Sequence, residues 1–164
     1  METINRFFTR IERLSNIFKP KKKIVYLGGT ITQYFYREYA KKYVEENNLQ
    51  IILTDPFQNE FFNVKIENEN DVILAIDKIR SYTEIENIVE RDLLLLKRSD
   101  ILIAFIEKLT AGTIMEMVYA KILGKKIYVI NPKFDLWNDI WLSYHTDKFF
   151  KTIEDCFNHI KQIK

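Results

Sequence analysis

Cysteine occurs once in these 164 residues, histidine twice, proline three times and glycine four times. Cys156, being alone, cannot close an internal disulfide, and a reducing, cytoplasmic setting is the expectation. With only His145 and His159 beside it, no zinc-type spacing exists, so no metal is expected. Gly28-Gly29-Thr30 is too short for a dinucleotide fingerprint, which needs three spaced glycines. No apolar run approaches the roughly 20 residues that span a bilayer. The formal net charge of +2 is too small to imply nucleic-acid binding by itself, and no nucleic-acid partner is expected. What is present, 47% hydrophobic and 29% charged residues, fits one globular domain that buries a core without staples.

Two stretches divide the chain, residues 1–22 and residues 23–164. In the first, Ile4, Phe7, Phe8, Ile11, Leu14, Ile17 and Phe18 recur at helical spacing. Arg6, Arg10, Glu12 and Arg13 lie between them, and Lys19-Pro20 ends the pattern. The stretch lacks the continuous apolar core and small-residue cleavage site of a signal peptide. It reads as a basic amphipathic helix, of a kind that can touch a membrane or a partner. The favoured reading is plainer: a helix folded onto its own domain or across an oligomer interface.

Beyond it, strand candidates are Lys23 to Leu27, Gln50 to Thr54, Ile101 to Ile106 and Lys126 to Ile130. Asp55-Pro56 and Asn131-Pro132 close two of them. Helices are predicted over Gln33 to Asn47, Asp71 to Ile79, Glu84 to Arg98, 113–123 and Lys151 to Ile163. Residues 57–70 read as a polar loop carrying Phe57, Phe61 and Phe62. Strands separated by helices argue for βαβ units and a single doubly wound α/β domain with a mostly parallel sheet.

In such a sheet, ligands sit beyond the carboxyl ends of the strands, where loops lead into helix N-termini. Glu116 falls there, in the predicted first turn of the helix after Ile106. One reading makes Thr113-x-x-Glu116 a capping box. The other makes Glu116 an ionised nucleophile held by the positive end of the helix, with the small Ala120 leaving room for a ligand. Asp92 falls on the apolar stripe Ile85, Ile88, Val89, Leu93, Leu96. Burying an unpaired carboxylate is costly, so Asp92 has a partner or faces a cavity. Tyr26 precedes Gly28-Gly29-Thr30, and two glycines at a strand end allow close backbone approach to a ligand. On its own, Tyr26 would be a core tyrosine. Phe57, Phe61, Phe62, Trp137 and Trp141 can stack on a base, although core or interface roles are favoured for them.

The combination is more specific than its parts. Tyr26-Leu-Gly-Gly-Thr30, Glu90-Arg-Asp92-Leu93, Ser99-Asp100-Ile-Leu-Ile-Ala104 and Gly112-Thr-x-x-Glu116-x-x-x-Ala120-x-x-x-Gly124-Lys125 occur in that order. The ordered set resembles the nucleoside 2-deoxyribosyltransferase family, with its related 2'-deoxynucleoside 5'-phosphate N-hydrolases. The resemblance spans about residues 24–142 and is strongest over 88–130.

It implies a flavodoxin-like or Rossmann-like fold, no cofactor, and a homodimer or higher homo-oligomer whose subunits complete each other's sites. Glu116 then matches the nucleophile that attacks the anomeric carbon and forms a glycosyl-enzyme ester. Asp92 matches the aspartate that meets the base and assists its protonation, and Tyr26 the tyrosine that orients the nucleophile. Asn138, in Trp137-Asn-Asp-Ile-Trp141, matches the asparagine offered to a neighbouring subunit's sugar pocket. Gly28, Gly29, Thr30, Thr110 and Gly112 join it as substrate-binding candidates. One departure matters. Six residues before the nucleophile, transferases of free nucleosides tend to carry an aspartate that binds the sugar 5'-hydroxyl, whereas this chain has Thr110. Thr30 falls where the nucleotide hydrolases carry a phosphate-binding serine. Two hydroxyls near helix N-termini favour a 5'-monophosphate, while Asn138 pulls towards a nucleoside.

The implied activity is cleavage of the N-glycosidic bond of a (2'-deoxy)nucleoside or its 5'-monophosphate, in nucleotide salvage. The sugar passes to water, which is favoured, or to another nucleobase. Two alternatives remain: an NAD-cleaving glycohydrolase, and a nucleotide-binding module without turnover.

Overall fold

The computed structural model describes residues 22–30, 33–57, 85–133 and 135–163. The helices expected over 1–22, its last residue Lys22 excepted, and over 71–79, together with Phe61 and Phe62, lie outside the described residues. The elements are β1 (Lys23–Gly28), α1 (Tyr34–Glu46), β2 (Ile51–Thr54), α2 (Ile85–Arg98), β3 (Ile101–Phe105), α3 (Ala111–Ile122), β4 (Lys126–Ile130), α4 (Ile140–His145), β5 (Lys148–Phe150) and α5 (Ile153–Gln162). All strands pair in parallel, in the order β2-β1-β3-β4-β5. This is the doubly wound, flavodoxin-like order, whose direction reverses between β1 and β3.

The three central strands are short apolar runs because both faces of a parallel sheet are covered by helices. Alternation along each strand sorts the side chains into two cores. Val25, Leu27, Ile101, Ile103, Tyr128 and Ile130 pack beneath α1 and α5. Tyr26, Leu102, Ala104, Ile127 and Val129 pack beneath α2, α3 and α4, against Leu96, Met117, Ala120 and Leu142. Tyr26 and its two neighbours therefore face opposite sides of the sheet. Among the described residues, no helix is long and apolar enough to cross a membrane.

Three expectations change. β5 and α4 have no counterpart in the sequence reading: a three-residue edge strand and a six-residue helix are too short to show a period. Helix α3 begins earlier than expected, with Thr110 as its extended N-cap residue (φ −131°, ψ 146°). Thr113 thus lies inside the helix, the Thr113–Glu116 capping box does not form, and Glu116 moves to the second turn. The apolar stripe of α2 is buried only at its end. Leu96 is fully enclosed, while Ile85 and Val89 are 78% and 50% exposed.

Candidate active site

The parallel register sets Tyr26 beside Leu102 and Gly28 beside Ala104, so β1 and β3 end together at the point where strand order reverses. α3 follows β3 and lays Glu116 over that edge. The buried Tyr26 hydroxyl donates to Glu116 Oε1 at 2.6 Å. Gly28 supplies the space. A Cβ there would stand 3.0 Å from both Glu116 Oε2 and Leu102 Cδ1. Gly29 is glycine for two reasons: its φ is +132°, and a Cβ would lie 2.9 Å from the Phe105 carbonyl.

Burial pushes the Glu116 carboxyl up to about 7. The Tyr26 hydrogen bond opposes this, the Asp92 carboxylate adds to it, and the Arg37 charge opposes it. The helix N-terminus expected to hold Glu116 ionised is a turn away. Its acidity is set instead by enclosure against Tyr26. Burial, followed by the neighbouring Glu116, drives the Tyr26 phenol far above its ordinary range, so it remains a donor. Asp92, from α2, is 17% exposed at its side chain and does have a partner. The adjacent Arg91 reaches Asp92 Oδ1 through Nη2 at 2.7 Å and Nε at 3.0 Å. Burial still raises the Asp92 carboxyl, against the pull of Arg91 and Arg37. Both carboxyls are thus displaced upward, Glu116 by burial and in part by the Asp92 charge, and Asp92 by burial.

The remaining candidates are spread around this centre. Thr30 is half-buried, and its carbonyl accepts from Arg37 Nη1 at 2.9 Å and from Gln33 N at 3.1 Å. Thr110 Oγ1 donates to Thr113 Oγ1 at 3.0 Å. Gly112 occupies the first turn of α3 rather than a loop, and a Cβ there would meet open space. Asn138 is exposed in the turn before α4, and no hydrogen bond among the described residues joins it to Tyr26, Asp92 or Glu116. Trp137 and Trp141 are 51% and 77% exposed, so neither belongs to the core. Phe57 lies against the Arg37 guanidinium.

Arg37, Tyr36, Gln33 and Glu107 also border the site and were not singled out in the sequence. Tyr36 donates from its hydroxyl to the Gly28 carbonyl. Gln33 Nε2 donates to Glu107 Oε2 at 3.3 Å, joining the loops after β1 and β3. For Arg37 a signal existed: it shares the helical stripe of Ala40 and Val44, the same anomaly that marks Asp92.

No protein-family model matches the chain. No curated protein matches its sequence. Solved structures do share its fold. A conserved protein from Enterococcus faecalis V583 superposes with a TM-score of 0.61 at 18% identity, over 85% of this chain and 98% of its own. A 2-deoxyribosyltransferase from Bacillus psychrosaccharolyticus gives 0.60 at 16% identity, over 86% and 92%. A CMP N-glycosidase from Clostridium botulinum gives 0.50 at 14% identity, over 86% and 100%. The fold of this chain is therefore nucleoside 2-deoxyribosyltransferase-like.

Proposed function

We propose that the protein is a member of the nucleoside 2-deoxyribosyltransferase family and an enzyme that cleaves the N-glycosidic bond of a (2'-deoxy)nucleoside or its 5'-monophosphate. One observation carries this reading. A half-buried glutamate, held by a tyrosine hydroxyl at 2.6 Å, stands at the strand-order reversal of the sheet. An ion pair or a helix cap would account for an ordinary enclosed glutamate, and among the described residues Glu116 has neither role.

Tyr26 occupies Oε1, so Oε2, the oxygen beside Gly28, is the attacking atom. It closes on the anomeric carbon as the bond to the base breaks with its electron pair, and a glycosyl ester forms. Asp92, protonated, delivers its proton to the departing base and becomes the carboxylate. It then takes a proton from water, or from an incoming base, as that acceptor attacks the ester and frees Glu116. The carboxyl raised to about 7 is available in both forms at neutral pH. Thr110 in place of a carboxylate favours a phosphorylated 5' end, with Thr30 as the second hydroxyl. Asn138 reaches a neighbouring copy in a homodimer, whose contact face is the exposed Trp137, Ile140, Trp141 and Tyr144. Sedimentation of the purified protein tests that part.

The decisive experiment is chromatography of bases released from deoxy- and ribonucleosides, their 5'-monophosphates and NAD, with and without adenine. Release from monophosphates that disappears in Glu116→Ala supports the hydrolase. A new nucleoside formed only with adenine makes it a transferase. Release from NAD alone moves the activity to that bond. No release from any substrate by the folded protein refutes the enzyme and leaves a nucleotide-binding module.

A further inference from the structure

We infer that Arg37 is a positioning residue for this site: it clamps the loops that follow β1 and β2 and sets a buried positive charge behind the Tyr26–Glu116 pair. The inference rests on Glu116 being the attacking carboxylate. Arg37 comes from α1 and is 2% exposed. Its Nη2 donates to the Gly29 carbonyl at 2.7 Å and its Nη1 to the Thr30 carbonyl at 2.9 Å. Nε faces Asp55 Oδ1 at 3.2 Å as an ion pair, outside hydrogen-bond alignment. The guanidinium lies over the Tyr36 ring at 4.8 Å and the Phe57 ring at 4.6 Å. Asp55 in turn accepts from Phe57 N at 3.0 Å and pairs with Lys41 at 3.1 Å. Together with Tyr36, which holds the Gly28 carbonyl, α1 takes up three successive carbonyls of the β1 loop.

Stability alone does not call for this. A buried ion pair competes poorly with an apolar residue of similar volume, because two charges must leave water. Methionine at 37 would extend the stripe of Ala40 and Val44 without that penalty. What methionine cannot do is hold the Gly29 and Thr30 carbonyls, and Gly29 directly follows Gly28, the residue against which Glu116 Oε2 sits. A displacement of an ångström there misplaces the attacking oxygen.

Charge adds a second effect. Glu116 faces Tyr26 from β1, Asp92 from α2, and Arg37 and Tyr36 from α1. Behind them stand Arg91, paired with Asp92, and Asp55 with Lys41, paired with Arg37. Arg37 is a cation whose charge favours ionised Glu116.

The test compares Arg37→Gln, Arg37→Lys and Asp55→Asn with the wild type, by pH profiles of kcat and KM. The Glu116 carboxyl is titrated in parallel by 13C NMR, assigned with Glu116→Gln. Arg37→Gln is expected to raise the Glu116 midpoint and to raise KM by about tenfold. Arg37→Lys keeps the charge but cannot grip both carbonyls and Asp55, so KM rises while the midpoint stays. Asp55→Asn removes a negative charge and moves the midpoint down. A structural role alone would weaken Arg37→Gln and Asp55→Asn alike, with no opposed shifts, and that result overturns the inference. If Arg37→Gln does not fold, an unchanged KM in Arg37→Lys or an unmoved midpoint in Asp55→Asn overturns it. Should the wild type release no base, the enzymatic reading fails separately, because the NMR midpoints still report whether Arg37 governs Glu116.

Discussion

Exchanging the Glu116 carboxyl for the amide of glutamine changes the pH dependence of folding in a calculable way. In the fold this carboxyl is raised from 4.5 to about 7, so the native state binds its proton more tightly than the unfolded chain does. Above pH 7 the group is ionised in both states, and the native state bears the cost of a buried charge. As pH falls from 7 towards 4.5 the native carboxyl is protonated first, and that cost is relieved; below 4.5 nothing further is gained. At about 1.4 kcal/mol for each pH unit, the full effect is about 3 kcal/mol. Glutamine carries no charge, and its oxygen still accepts the Tyr26 hydroxyl. Glu116→Gln is therefore expected to melt roughly 6–12 °C above the wild type at pH 8.5. The gap should close by pH 4.5, and the variant should release no base. Thermal melts by circular dichroism at half-unit pH steps read the difference directly, since titrations elsewhere cancel. A gap that is constant with pH, or a variant less stable than wild type at pH 8.5, would refute the reasoning.

The other expectations concern the neighbours of Glu116. Tyr26→Phe removes the hydrogen bond that holds Glu116 down, so the acid limb of kcat/KM moves to higher pH and the maximum falls about tenfold or more. Gly28→Ala places a methyl 3.0 Å from Glu116 Oε2 and Leu102 Cδ1, with about 1–3 kcal/mol lost in chemical denaturation and kcat reduced with it. Gly112→Ala meets open space and should gain about 0.5–1 kcal/mol of stability. If Gly112 borders the substrate, as the family resemblance implies, KM rises at the same time, and an unchanged KM removes it from the site. Thr110→Asp should transfer preference from 5'-monophosphates to free nucleosides in the base-release assay, through repulsion of the phosphate.

The central fold was legible because its strands announce themselves. Runs such as Ile101 to Phe105, bounded by Ser99-Asp100 and a polar loop, read as buried parallel strands and are so. β5 could not be read that way: Lys148-Phe149-Phe150 is too short, and it gains its place only by pairing with β4. The start of α3 differs from the sequence expectation for a local reason. Thr113, with Glu116 three residues on, offers a capping box that Thr110 lacks, but Ala111 and Gly112 take helical geometry and the chain turns earlier. The displaced start also changed the physics of Glu116, from a carboxylate stabilised by a helix end to one destabilised by enclosure. Asp92 was conspicuous because it interrupts an apolar stripe, yet Arg91, its partner, is simply the preceding residue. Arg37 carries the same kind of signal, but what it binds is main-chain carbonyl, which no side-chain pattern reveals.

Tyr26 and Glu116 are 90 residues apart in the chain. Their bond exists only when β3 lies in register beside β1, and parallel pairing across such a span requires a large loop to close first. A collapsed chain can therefore hold most of its helices and local strands while lacking the pair altogether. In a refolding experiment, recovery of helical signal and recovery of base release should separate in time. The second requires the closing of β3 onto β1, which the first does not.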